Sequence, residues 1–332
     1  MRIVVAPDKF KGTASALELT AALAAALRVA GHEVITRPLA DGGEGFLDVF
    51  GGPNRTTTVD GPLGDEVEAA WRLDRGTAVI EMARASGLTL VGGAEGNDPI
   101  AASTYGVGEL IATAVESGAR RVLVGVGGSA TTDGGLGALR ALHPPQRLRG
   151  VELLVACDVR TRFVDAATVF APQKGATRAQ VELLRRRLER LAQVFVSESG
   201  VDVLDLEGGG AAGGLAGGLA TIGARLLSGF ELVAEEVGLD QAIEDADLVI
   251  TGEGFLDGES FEGKVVGGVA ELATELGVRC VALVGEVVHP LPALPEGLQV
   301  LAMVDRFGVE RAMADTCGCA VELALEAVAE LA

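Results

Sequence analysis

The chain has 332 residues, 48% of them hydrophobic, a formal charge of −20 and four cysteines. That length suggests two domains with cores of their own. The charge argues against nucleic acid, which is held by clustered Lys and Arg, and the spacing of Cys157, Cys280, Cys317 and Cys319 supplies neither a CxxC metal pair nor a disulfide framework.

The chain opens on "MRIVVAPD", with no basic start leading into a long apolar stretch, and nowhere offers about 18 uninterrupted apolar residues. The expectation is a cytoplasmic protein with reduced thiols and no membrane contact, as a monomer or a homodimer. "RIVVAP" reads as a strand, "SALELTAALAAALRVAG" as a helix entered through a Ser15–Glu18 capping box, and "EVITRPLA" as a second strand. This is βαβ patterning, the mark of a parallel sheet. The pattern then changes. "RTTTVDGPLGDEVEAAWRLDRGTAVIEMA" predicts adjacent antiparallel strands around turns at Gly61 and Arg75-Gly76, followed by helices and two further strands, "RRVLVGVGG" and "VELLVACD". "FAPQKGATRAQ" places Lys174 in a turn before a helix capped by Thr177. Within that helix, "RRRLER" (Arg185 to Arg190) reads as a solvated face in preference to a binding patch. "EGGGAAGGLAGGLA" reads as a closely packed small-residue helix in preference to a flexible linker. The βα rhythm returns in "ADLVITGEG", "GKVVGGVAELATELG", "RCVALVGE" and "LQVLAMVD", with a closing helix from Val309. The fold class is therefore α/β, with two α/β domains: a discontinuous parallel-sheet domain over 1–52 and 240–332, and an inserted domain with a mixed sheet over 53–239.

In open α/β sheets ligands collect outside the carboxyl ends of strands. The expectation is that Asp8 follows the first strand, Asp41 and Glu44 the second, and Glu253 the strand "LVITG". "GVGGSATTDGG" (Gly125 to Gly135) stands between a strand and a helix. It is either a phosphate cradle of backbone N–H groups and hydroxyls backed by a helix N-terminus, or a tight strand-to-helix turn. It also passes as a loose GxGxxA dinucleotide fingerprint, but the next strand-end acid, Asp158, lies too far along the chain for the ribose-binding position. "GESFEGKV" misses the P-loop pattern at Val265, and leaves Lys264 as a lone cation at a helix start. Lys9 and Lys11 stand between a strand end and a helix start, where an anion would be met. Three histidines without nearby Ser or Asp partners give little support to a hydrolytic triad.

Taken together, "APDKFKG", "PLADGGEGF", "VIEMARASGL", "STYGVGELI", "GVGGSATTDGG", "PQKGA", "GGAAGGLAGGL" and "LVITGEG" followed by a spaced Asp and GK resemble the bacterial class I glycerate kinases. The matches run in order from residue 3 to about residue 285. The resemblance implies a flavodoxin-like domain and a second α/β domain with a cleft site between them, and Mg²⁺- and ATP-dependent phosphorylation of D-glycerate at its 2-hydroxyl. There are departures: Lys9 replaces a common Ser, Phe255 and Leu256 stand where Arg-x-Asp begins, Val266 replaces Pro, and "RTRFVDAATVF" shortens the loop beyond Asp158. The lost Arg removes an anion partner that Lys9, or the pair Arg160 and Arg162, would restore.

For such a kinase the protein mainly positions groups and neutralises charge. Catalysis is assigned to Lys11, Asp41, Asp158 and Lys174, with Asp158 the candidate base and the lysines charge neutralisers. Substrate or nucleotide binding falls to Asp8, Lys9, Gly42, Gly43, Gly127, Gly128, Ser129, Thr131, Asp133, Gly252, Gly254 and Lys264. Mg²⁺ falls to Asp41, Glu44 and Glu253. The glycines of "DGGEG" would let backbone approach a small anionic ligand. Three alternatives remain open: a kinase of a related hydroxy acid or one giving 3-phosphoglycerate, a glycerate-binding sensor without turnover, and an oxidoreductase using a nucleotide cofactor.

Overall fold

The computed structural model describes residues 1–331, with strands β1 (Arg2–Val5), β2 (Glu33–Thr36), β3 (Arg55–Asp60), β4 (Glu66–Asp74), β5 (Thr77–Glu81), β6 (Arg121–Gly125), β7 (Glu152–Ala156), β8 (Arg225–Leu227), β9 (Leu248–Leu256), β10 (Arg279–Val287) and β11 (Leu298–Ala302). The chain divides into two compact units, Met1–Asp41 with Ser228–Ala332, and Gly42–Leu227.

The first unit holds a wholly parallel sheet in the order β11-β10-β9-β1-β2. Counted within the unit, this is the 2-1-3-4-5 order of flavodoxin-like sheets. Alternation along the strands supplies both faces. On β10, Val281 and Leu283 join a core with Ile3, Ile250 and Leu323, while Ala282 and Val284 join Leu256 and Val266 on the other side. The Ala16–Val29 helix starts where expected: Ser15 Oγ accepts from Glu18 N–H and the Glu18 carboxylate accepts from Ser15 N–H. It buries Leu19, Leu23 and Leu27, a helical 4-4 spacing, against the sheet. Three expectations are corrected. Glu253 does not follow its strand; it lies within β9, which runs on to Leu256 because pairing with β10 continues through Val287. The closing helix from Val309 is two, Val309–Ala314 and Thr316–Leu331, interrupted at Asp315, and the strand expected in "LQVLAMVD" ends at Ala302 and gives way to a short helix, Met303–Phe307.

The second unit holds a mixed sheet, β3-β4-β5-β6-β7-β8, antiparallel from β3 to β5 and parallel from β5 to β8. The β4–β5 turn has both central residues left-handed, Arg75 at φ 47° and Gly76 at φ 85°, the geometry whose twist matches a two-residue hairpin. Trp71, Ile80, Val107, Leu110, Val124 and Leu215 are among the residues of its main core. The Arg178–Ser199 helix, capped by Thr177 and Gln180, packs Leu184, Leu188, Ala192 and Phe195 around Phe163 in a second core. The small-residue stretch is helical over Ala211–Ala220 but broken at Ala212, Gly213 and Gly214, all at positive φ. The break brings Gly213 so close to the 131–132 backbone that a Cβ would sit 2.0 Å from the Thr131 carbonyl oxygen. Among the described residues no helix is long and apolar enough to cross a membrane.

Candidate active site

In the first unit, β1 and β9 are neighbours at the point where strand order reverses, the switch point at which open α/β sheets hold ligands. Beyond the paired strands, Asp8 N–H still donates to Gly252 O at 2.9 Å and Thr251 Oγ1 to Ala6 O at 2.8 Å. These bonds pin the Asp8 loop against β9. Gly252 is required there, since a Cβ would meet the Leu283 carbonyl oxygen at 2.2 Å.

Asp8 and Glu253 are buried at this edge, and Asp8 shares one lysine with the half-buried Asp41. Lys9 Nζ lies 3.1 Å from Asp41 Oδ1 and 3.5 Å from Asp8 Oδ1, and Lys9 N–H donates to Asp8 Oδ1 at 2.7 Å. Burial nonetheless pushes the Asp8 carboxyl up to about 6, opposed by Lys9 and reinforced by Asp41. Lys9 itself is raised: burial works against its charge, and Asp8 and Asp41 together outweigh it. Burial also pushes Glu253 up to about 7; a hydrogen bond with Ser260 and the Lys264 charge oppose this, while Asp8 and Asp257 add to it. Glu253 Oε1 is buried without a hydrogen-bond partner. An edge with three carboxylates and one bridging lysine is short of positive charge. Lys11 does not supply it here: it is exposed on the turn after Phe10. Lys264, expected as a lone cation, is paired instead, donating to Glu259 Oε2 at 2.9 Å from the start of the Val265–Glu275 helix. Phe255 is 58% exposed. Gly254 packs on the Phe10–Lys11 backbone.

In the second unit the 126–135 loop is held by side chains from distant segments. Lys174 is buried, and its Nζ donates to Ser129 Oγ at 2.7 Å and Thr131 O at 2.6 Å. Burial pulls Lys174 down to about 7, against the pull of Asp133. Asn97 Nδ2 donates to both Ala130 O and Lys174 O, at 3.0 and 2.9 Å. Nothing local in the sequence marks Asn97, because its partners lie 33 and 77 residues away.

Asp133 serves the loop itself. Its Oδ2 accepts from Thr104 N–H, Thr104 Oγ1 and Gly137 N–H, and its Oδ1 from Gly135 N–H. With Ala138 N–H donating to Thr104 Oγ1, the N-terminal donors of the short Leu136–Ala141 helix are taken by protein. The helix end expected to back a phosphate cradle is therefore occupied. Two glycines of "DGGEG", Gly42 and Gly43, also meet protein, while a Cβ on Gly45 would meet nothing within 4 Å. A Cβ on Gly42 would lie 2.8 Å from Ala156 Cβ, and one on Gly127 would lie 2.5 Å from Gly43 Cα. Gly128, at φ 73°, carries the turn into Ser129. Glu44 is exposed in the 42–45 turn, and Asp158 is half-buried just beyond β7. Arg160 and Arg162 lie on the surface beside Glu207 and Asp205, at 3.3 and 3.5 Å, so local acids neutralise them.

A parallel sheet with buried, perturbed acids at its switch point defines, by class, an α/β enzyme. The glycerate kinase family model matches residues 3–145 and 143–331. A glycerate kinase of Halalkalibacterium halodurans is 40% identical over 325 residues, covering 85% of each chain. The glycerate 2-kinase of Escherichia coli K12 is 39% identical over 325 residues, covering 86% of this chain and 85% of its own. A crystal structure described as glycerate kinase 2 from Salmonella typhimurium LT2 superposes with a TM-score of 0.83 at 34% identity, covering 100% of this chain and 99% of its own. The chain belongs to the glycerate kinase family.

Proposed function

We propose that the protein transfers the γ-phosphoryl group of ATP to the 2-hydroxyl of D-glycerate with Mg²⁺, giving 2-phosphoglycerate. The observation that carries this reading is the Asp8–Lys9–Asp41–Glu253 group at the β1/β9 switch point: buried acids in excess of cations, including a buried carboxylate oxygen with no partner. Such a group fits a divalent cation, whose arrival would draw Asp8 and Glu253 into their ionised forms. Among the described residues no three His, Cys, Asp or Glu side chains are grouped to enclose an ion. The metal would then be held by one or two of these carboxylates, Asp41 and Glu253 being the candidates, with phosphate oxygens and water completing its shell, the usual mode for Mg²⁺ at phosphate sites. When bound, Mg²⁺ supplies charge neutralisation for the phosphates.

The remaining work falls to protein groups. Asp158 takes the hydroxyl proton, a role worth typically 10²–10⁴-fold. Lys9 supplies positive charge beside Asp8 and Asp41, at the position the family commonly fills with Ser. Lys174 holds Ser129 Oγ and the Thr131 carbonyl in place, and burial lowers its pKa to about 7, so at neutral pH it carries only part of a full charge there. The setting is proposed to be cytoplasmic, where both ATP and reduced thiols are at hand.

The test is ADP release coupled to a spectroscopic readout, run over D-glycerate, L-glycerate and related hydroxy acids, with and without Mg²⁺. Phosphorus NMR of the product reads the phosphorylated hydroxyl. Turnover that needs D-glycerate and Mg²⁺, with phosphate on the 2-position, is the expected result. Glycerate binding with no ADP release would support the sensor reading instead, and a 3-phosphate product would overturn the regiochemistry.

A further inference from the structure

We propose that the cavity between the Leu136–Ala141 and Arg178–Ser199 helices binds a nucleoside phosphate, its phosphates held by Arg140, Arg186, Arg187 and Arg190 and its base and sugar laid on the leucine wall. The cavity measures about 740 Å³, within the range of small-molecule sites. On the long helix, Leu183, Arg186, Arg187, Arg190, Leu191 and Val194 recur at three- and four-residue intervals, so they share the face that borders it. The adjoining face, Leu184, Leu188, Ala192 and Phe195, packs into the Phe163 core, and Leu188 and Leu191 lie where the core meets the cavity.

Charge is concentrated here in a chain that carries a net −20. Four arginines line the cavity against a single acid, Asp133, whose carboxylate already accepts four hydrogen bonds from Thr104, Gly135 and Gly137. Arg185, from the same run, shows the contrast: it is neutralised by Glu182 and Glu189 on its own helix. The side chains of Arg140 and Arg186 have no hydrogen-bond or ion-pair partner among the described residues. Arg187 spends one N–H on Ile100 O and Arg190 one on Gln193 Oε1, which leaves each with further donors. A guanidinium matches phosphate oxygens in paired, planar geometry. The neighbouring groove shares Leu136, Arg140, Leu191 and Val194 with this cavity but adds Glu198 in place of further arginines. The cluster of arginines therefore does not extend into that groove. Apolar walls over half the lining make bare inorganic phosphate a poor match and favour an anion with an apolar body.

The cavity reaches Thr132 and Asp133, the far side of the loop that Lys174 holds through Ser129 and Thr131. A nucleotide seated here is either the co-substrate, in which case the proposal rests on the kinase reading, or a regulator acting through the loop. The experiment is calorimetric titration of ADP, without Mg²⁺ or glycerate, into the full chain and into Arg186→Glu/Arg190→Glu and Arg186→Gln/Arg190→Gln. Both positions are exposed, and circular dichroism checks the fold. ADP affinity should fall at least tenfold in the Glu pair and by less in the Gln pair. A parallel rise in KM for ATP supports the co-substrate form. Loss of one of two ADP sites with KM for ATP unchanged supports the regulatory form. ADP bound with unchanged affinity and stoichiometry in both variants overturns the proposal, as does inorganic phosphate binding as tightly as ADP. Turnover of glycerate by the variants at saturating ATP reads the kinase proposal separately.

Discussion

Replacing Glu253 with Gln should make the protein more stable at pH 8 while disabling it. In the folded state the Glu253 carboxyl is raised from its ordinary 4.5 to about 7, chiefly by burial. Between those values the folded chain holds a proton that the unfolded chain has released, so stability falls as pH rises from 4.5 to 7, and the full cost persists above 7. At about 1.4 kcal/mol per tenfold, a shift from 4.5 to about 7 costs roughly 3 to 4 kcal/mol. Glutamine keeps the shape and carries no charge to desolvate, and its amide retains a group able to bond with Ser260. Glu253→Gln should therefore exceed the wild type by up to roughly 3 to 4 kcal/mol at pH 8 and match it near pH 4.5. Asp8, raised from 3.8 to about 6 by the same cause, acts in the same direction. It is present in both proteins and largely cancels. Urea unfolding followed by far-UV circular dichroism at the two pH values measures the difference; Trp71, the single tryptophan, lies on β4 of the other unit and would not report it. A stability gap independent of pH, or a variant weaker at both values, would refute the argument that burial of a charge governs this site. Phosphoryl transfer should fall by about a hundredfold or more, as for other positioned metal-binding groups.

Lys174→Met should lower kcat/KM at least about a hundredfold, because the 129–131 loop loses both of its lysine bonds. It should also remove a rise in stability between pH 7 and 10.5 that the wild type shows, since a buried lysine lowered to about 7 binds fewer protons folded than unfolded across that window. Asp158→Asn should cut kcat about a hundredfold or more with KM for glycerate little changed; near-normal kcat would remove it as the base. Gly213→Ala should cost more than about 2 kcal/mol in denaturant unfolding, since its Cβ would collide with Thr131 O at 2.0 Å from a backbone at φ 67°; a neutral effect would mean that the segment is loosely packed. Lys9→Ser should reduce kcat/KM, and Phe255→Arg in that background should restore part of the loss if both positions serve one anion; additive effects in a double-mutant cycle would separate them.

Local rules were legible along the chain wherever the cause is local. Strand alternation, the Ser15–Glu18 capping box, the Thr177 cap and the Arg75-Gly76 hairpin each depend on residues a few positions apart, and the structure bears them out. That the two ends of the chain share one parallel sheet was also legible from the return of the βα rhythm, whereas the order β11-β10-β9-β1-β2 is one of several that right-handed crossovers allow. Only tertiary structure decided what each polar group spends itself on. Lys174 meets Ser129 across 45 residues, and Asp133 meets Thr104 across 29, so their roles as anchor and helix cap are invisible in any local window. The glycines of "DGGEG" had been read as making room for a ligand, but Gly42 and Gly43 make room for Ala156 and Gly127. The "RRRLER" run looked like a solvated helix face, and pattern alone could not show that a cavity opens beside three of its arginines. Composition and periodicity set which face of each element is buried. The pKa of a carboxyl and the partner of a lysine depend instead on desolvation and on distances of a few ångströms, and those exist only once the elements are packed.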